Sequence, residues 1–285
     1  MARISNGYTT QRGGLLKVTR IGISRDELFF GLYLIGCVNG LFGRVLLAAS
    51  SDSPYGILTV DISVIVLFAC FAGLSLIFQN NKDELRPADL VVAIIFTLLV
   101  VLPLFALSWV AVTGLSLYIL LSADDRGRRR RGALILLALS VSMFWSRLLF
   151  QFFAGPILEI DAAFVASMLG TARSGNLVGM GDGSGTLMLI PECSSFTNVS
   201  LGFLCLVTVT QWVGHRWSAI DVGWTIFACG MIVGINTARM AVTGASKANY
   251  EMIHSSWGAT IFGMVIVLVT IGVSALSARR ELFTR

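Results

Sequence analysis

Three scarce polar residues of this chain could do chemistry together: Cys193, Arg239 and His254. A thiol can attack a carbonyl, a guanidinium can hold the oxyanion that forms, and an imidazole can move the proton. These are the parts of a cysteine acyl-transfer enzyme. Each residue stands at the end of a long apolar segment. Ionisable groups are costly there, so their default reading is functional.

Cys193 lies between Pro191-Glu192 and Ser194-Ser195 at the start of an apolar run. Serine at a helix N-cap satisfies orphan amides, and a thiol beside those amides meets the positive end of the helix dipole. Such a setting is expected to favour the nucleophilic thiolate. The plainer reading is a small residue opening an ordinary helix.

Asn236-Thr237-Ala238-Arg239 sets Asn236 and Arg239 three apart, hence on one helix face. A terminal Arg alone could snorkel to headgroups, but an Asn one turn deeper predicts a polar seam inside the bundle. The fixed donors of Arg suit an oxyanion or a substrate carboxylate.

His254 precedes Trp257 and the last apolar run, and is one of two histidines. An unperturbed pKa of about 6.5 suits acid–base work. Glu251 stands one turn earlier if the stretch is helical, where it could orient the ring. The plain alternative is an interfacial His beside an interfacial Trp. His215, next to Arg216, reads as a loop residue on the opposite side.

Other chemistries fit less well. One Cys and one His on one side do not make a zinc shell, and neither metal nor cofactor is expected. Gly181-Asp182-Gly183-Ser184-Gly185 reads as a plain turn, since no strand-to-helix context supports a phosphate cradle. It also lacks the Gly-x-Ser-x-Gly spacing of a serine-hydrolase elbow. Arg44 and Asp61 are expected to pair, and Arg147 is expected to face the bundle interior.

The elements that must position these groups follow from composition. Of 285 residues, 55% are hydrophobic and only 13% charged, against about 25% charged in a soluble domain. This deficit predicts an all-α polytopic membrane protein. The net charge of +5 falls in short loops between apolar runs, which argues for anionic lipid and against nucleic acid. Four of the five cysteines lie inside apolar runs, so no disulfide framework is expected.

Apolar runs of near-membrane length span 28–49, 56–78, 132–153, 194–213, 219–242 and 257–278. The first reads as an uncleaved span, being too long for a signal peptide. The stretch 90–122 is too long for one span and holds Pro103 near its middle, predicting two short helices that turn there. About eight spans result. The basic 1–27, Lys82 and Arg86, the loop 124–131, His215-Arg216 and the tail 279–285 then all fall on the cytoplasmic side.

The domain reading is a basic N-terminus 1–27, N-terminal helices 28–131, a catalytic membrane core 132–278 and the tail 279–285. The segments 50–55, 155–192 and 243–256 face outward. Within 155–192, Ile160, Ala163, Phe164, Ser167 and Met168 predict a short helix lying on the bilayer surface. Segments 176–180 and 186–190 flank the glycine-rich turn as a β-hairpin.

Taken in order, Pro191-Glu192-Cys193-Ser194-Ser195, Asn236-Thr237-Ala238-Arg239-Met240 and His254 resemble the signature of the exosortase/archaeosortase family. The resemblance covers roughly 131–278; the first four spans match only in being apolar. It implies a membrane cysteine protease or transpeptidase that cleaves C-terminal sorting signals, made of a short motif, a membrane helix and a basic tail. Partners would be membrane-anchored proteins and an envelope acceptor, met at the outer face of the cytoplasmic membrane. On this resemblance Cys193 is the nucleophile, Arg239 the oxyanion stabiliser, His254 the acid/base and Asn236 a support. The family commonly has Gly two residues after the Cys; Ser195 stands there, which marks a divergent branch.

The rival reading is a non-catalytic exporter or assembly factor for envelope polymers. A transporter should carry ionisable residues near mid-membrane or show an inverted repeat. The mid-span positions are mostly apolar and no such repeat is evident.

Overall fold

The computed structural model describes residues 23–49, 63–79, 83–122, 127–215, 218–254 and 256–277. Among them, four helices are long and apolar enough to cross a membrane. They cover Arg25–Leu46, Arg128–Leu169, Ser195–Val213 and Ala219–Ala245. Val64–Ile77, Pro87–Val101, Phe105–Leu121 and Ile261–Ser277 are shorter and equally apolar. The described chain is a helical membrane protein with one small sheet.

Helix α1 (Arg25–Ala49) opens with Asp26 and Glu27, acidic groups that complement the helix's positive end. α2 (Val64–Ile77) is capped by Ser63, whose hydroxyl accepts from the Ile65 amide. α3 (Pro87–Val101) begins with Pro at its first turn, where a missing amide costs nothing. The chain breaks at Leu102–Leu104, around Pro103, and resumes as α4 (Phe105–Leu121). The expected turn at Pro103 is there.

The basic stretch expected as a loop is otherwise. Arg128–Arg131 form the first turn of α5 (Arg128–Ser140); Asp61 and Asp124 to Arg126 lie outside the described residues. Arg is a good helix former, and Arg129 finds the buried Asp26 and the exposed Asp83. Its Nε donates to Asp26 Oδ1 at 2.8 Å and its guanidinium reaches Asp83 Oδ2 at 2.7 Å. α5 runs through a π-helical turn (Val141–Trp145) into α6 (Ser146–Leu169).

The expected surface helix is not a separate element either. It is the C-terminal half of α6, set off by a kink at Phe153 (φ −118°, ψ 20°). Pro156, three residues on, cannot donate to the carbonyl of Phe152 and crowds it, which bends the helix there. The inner face of this half (Leu158, Ala162, Val165, Ala166) is buried. Ile160, Phe164 and Met168 are exposed. Gly170, at φ +68°, ends the helix in the left-handed conformation. Arg147 is exposed rather than interior.

Three short strands follow: β1 (Arg173–Ser174), β2 (Leu177–Gly179) and β3 (Thr186–Met188), paired antiparallel in that order. A 3₁₀ turn (Pro191–Cys193) leads into α7 (Ser195–Val213). Then come α8 (Ala219–Ala245), α9 (Lys247–His254) and α10 (Ser256–Ser277).

Helices approach closely where glycines face them. A Cβ on Gly132 of α5 would lie 2.8 Å from the Gly73 carbonyl of α2, and one on Gly202 of α7 would clash with Ile232 Cδ1 of α8. Small residues at helix contacts are the usual route to tight packing in a bilayer.

Polar bonds gather the helix ends. Arg25 Nε donates to Asp89 Oδ2 (2.9 Å) and Tyr118 to Asp89 Oδ1 (2.7 Å). Arg131 donates to the Gln211 carbonyl (3.2 Å), and Asp221 meets both His215 Nε2 (2.9 Å) and the Ser277 hydroxyl (3.0 Å). The starts of α1, α3, α5 and α8 therefore share one end of the bundle with the ends of α4, α7 and α10. Cys193, before α7, and Arg239, late in α8, belong to the other end.

Candidate active site

Cys193 is the last residue of the 3₁₀ turn, and its amide donates to the Ile190 carbonyl (2.8 Å). Ser194 follows as the N-cap of α7, accepting from the Phe196 amide at 3.2 Å. Cys193 is 6% exposed. It packs in a cluster with Leu158, Val165, Val178, Leu187, Leu189 and Met240, drawn from α6, the sheet and α8.

Asn236 is 1% exposed and turned into this site. Its Nδ2 donates to the Cys193 carbonyl (2.8 Å) and to Ser195 Oγ (3.0 Å), and its Oδ1 accepts from Asn198 Nδ2 (3.3 Å). The amide thereby saturates both sides of its polar head and ties α8 to the start of α7. Ser195, where a small glycine would leave space, is buried and serves as one of these partners.

Arg239 lies one helical turn beyond Asn236. Its guanidinium is within electrostatic range of the Cys193 thiol. Its Nε is buried with no hydrogen-bond partner among the described residues. An Arg donor without an acceptor is uncommon in a native interior.

Sequence reasoning missed Asp161. This carboxylate on α6 is 7% exposed, and its Oδ2 accepts from Ser194 Oγ (2.9 Å) and from the Ser195 amide (3.1 Å). The signal was an acidic residue among apolar neighbours in 155–192, which deserved the weight given to other buried charges. Asp161 also changes the electrostatic account. The positive end of α7 is met by a carboxylate, which offsets the helix dipole near the thiol and leaves Arg239 as the cation within its electrostatic range.

Glu251 and His254 both fall on α9, three residues apart. Glu251 is exposed, and the side chain of His254 lies outside what the structure describes. Tyr250, one turn before His254, packs against the cluster that contains Cys193. The structure thus brings Cys193, Asn236 and Arg239 together and sets α9 beside them. His215 sits at the opposite end, against Asp221.

The glycine-rich turn has a tertiary partner. The Gly181 amide donates to the Gly244 carbonyl (2.9 Å), and Asp182 Oδ2 accepts from the Lys247 amide (3.1 Å). A Cβ on Gly181 would lie 3.1 Å from the Ala245 carbonyl. The turn is clipped to the junction of α8 and α9. Hydrogen bonds from Ser184, then from the Lys247 amide, hold the Asp182 carboxyl below the usual carboxylate range.

No protein-family model, curated protein or solved structure matches the chain.

Proposed function

We propose that this chain is a membrane-embedded cysteine protease or transpeptidase that cleaves C-terminal sorting signals of envelope proteins. The observation that carries the reading is a buried thiol whose main chain is fixed by Asn236, with the half-buried Arg239 within its electrostatic range and holding an Nε donor that has no partner among the described residues. The order of Cys193, Asn236, Arg239 and His254 resembles the exosortase signature, which supports the same reading.

In this scheme the eight apolar helices all cross the cytoplasmic membrane, α5 and α6 counting as one span, with both termini inside. The 14-residue α2 is about 21 Å long, so the bilayer would thin or the helix would extend beyond its described residues. The end holding Cys193 faces outward. The exposed Ile160, Phe164 and Met168 of α6 would rest against lipid.

A substrate helix docks from the bilayer with its scissile peptide at the outer rim. The Cys193 sulfur attacks the carbonyl carbon, and Arg239 donates to the oxyanion. His254 gives its proton to the leaving amine as the C–N bond breaks, which leaves a thioester. Water or an acceptor amine then attacks, His254 takes its proton, and the thiolate departs. Losing the Arg239 donor should lower turnover by about 10²–10³-fold, as for other oxyanion donors.

The exporter reading gains little support. The buried charges Arg25, Asp26, Asp89 and Arg129 bind one another or Asp83 at the opposite end of the bundle. The deciding experiment maps C-terminal peptides of envelope proteins by mass spectrometry in cells with the intact chain and with Cys193→Ala. Loss of a C-terminal helix and basic tail only when Cys193 is present supports the enzyme. Identical proteomes, with the protein expressed and candidate substrates detected, reject it.

A further inference from the structure

We infer that Asp161 is a positioning residue for the nucleophile, holding Ser194 and Ser195, the two residues that follow Cys193, while Asn236 holds the Cys193 carbonyl. The inference rests on the cysteine-enzyme reading and names a residue that the signature does not contain.

A carboxylate this deeply buried is costly unless hydrogen bonds satisfy it. Asp161 receives two, both on Oδ2 and both from the residues that directly follow Cys193. A single oxygen thus holds the N-cap hydroxyl and the first amide of α7 at once. On the other flank, Asn236 holds the Cys193 carbonyl and the Ser195 hydroxyl. Residues 193–195 are stretched between α6 and α8, with a polar anchor on each.

Asp161 lies two turns beyond the Phe153 kink, in the half whose inner face packs against Cys193 and β3. The kink sets the direction of that half, and the carboxylate ties it to the Ser194 hydroxyl and the Ser195 amide, one and two residues after Cys193. Among the described residues the remaining buried carboxylates, Asp26, Asp89 and Asp221, are engaged at the other end of the bundle. None of them can reach this turn.

The test uses the full-length protein in native membranes with Asp161→Ala, Asp161→Asn and Asp161→Glu. Two readouts are taken: C-terminal processing of envelope proteins, and the alkylation rate of each cysteine resolved by peptide. Asparagine keeps an oxygen that can accept both bonds, so Asp161→Asn should process substrate near the wild-type rate. Alanine frees the turn and glutamate displaces it by roughly a bond length. A shift of that order costs about 10²-fold in rate, and both variants should change alkylation of Cys193 while leaving Cys37, Cys70, Cys205 and Cys229 unaffected.

Wild-type processing and unchanged Cys193 alkylation in Asp161→Glu would overturn the inference even if the alanine variant failed to fold. So would a uniform change at all five cysteines, which marks general loosening. If Cys193→Ala leaves processing intact, the enzyme reading fails. The Cys193-specific alkylation still decides whether Asp161 holds the turn.

Discussion

Asn236→Ala isolates the bond network around the thiol. The substitution removes the donor to the Cys193 carbonyl, the donor to Ser195 Oγ and the acceptor for Asn198. Ser195 can rotate its hydroxyl and Asn198 is only half-buried, so these two losses are small. The carbonyl has no such freedom. A buried acceptor left bare costs about 1–3 kcal/mol, and with two weaker neutral bonds the total is about 2–4 kcal/mol. SDS-driven unfolding in mixed micelles measures it.

Asn236→Asp tests the sign of the same bond. The side chain keeps its shape but turns an oxygen toward the Cys193 carbonyl, acceptor against acceptor. The new carboxylate would also draw the Arg239 guanidinium, one turn away, off the thiol. Processing should therefore fall at least as far as in Asn236→Ala, by about 10²-fold for a displaced reacting group. An Asn236→Ala protein within about 0.5 kcal/mol of wild type, the range of neutral surface changes, would refute the reasoning.

Two further outcomes follow from the structure. Asp182 has a folded pKa below its ordinary value of about 3.9, so the stability it lends is present above that value and lost as pH falls through the folded pKa. Hydrogen-exchange protection of the Lys247 amide should hold at neutral pH and drop below about pH 3.9, with the acid step missing in Asp182→Asn. Asp89→Asn breaks a buried pair with Arg25 and should cost about 3–5 kcal/mol in the same micelle assay. Replacing both partners by apolar residues should recover most of that loss.

Much of the helical plan was legible because apolar runs report burial in lipid or protein without reference to tertiary contacts. The break at Pro103 was legible for a local reason, since the ring forbids a continuous helix. Arg128–Arg131 were not. Charge alone reads as loop, and only Asp26 and Asp83, more than forty residues distant, explain why Arg129 is buried in a helix. Cys193, Asn236 and Arg239 were legible as polar residues in costly places. Asp161 obeys the same rule but lay within a stretch read as a surface helix, where a carboxylate raises no question. The continuity of α5 with α6 depends on a π-helical turn, which leaves no mark on hydrophobic periodicity.

The two ends of the bundle treat buried polar groups differently, and the difference bears on function. At one end Asp26, Asp83, Asp89 and Asp221 each receive a donor from another helix or loop. Meeting these carboxylates is what stability requires, because an unmet carboxylate in low dielectric is expensive. At the other end Asn236 and Asp161 bond the main chain and hydroxyls around Cys193, and Arg239 Nε has no acceptor among the described residues. That bare donor makes sense if the missing acceptor is an oxyanion that exists only in the transition state, since a donor satisfied beforehand would stabilise the ground state equally and leave the rate unchanged.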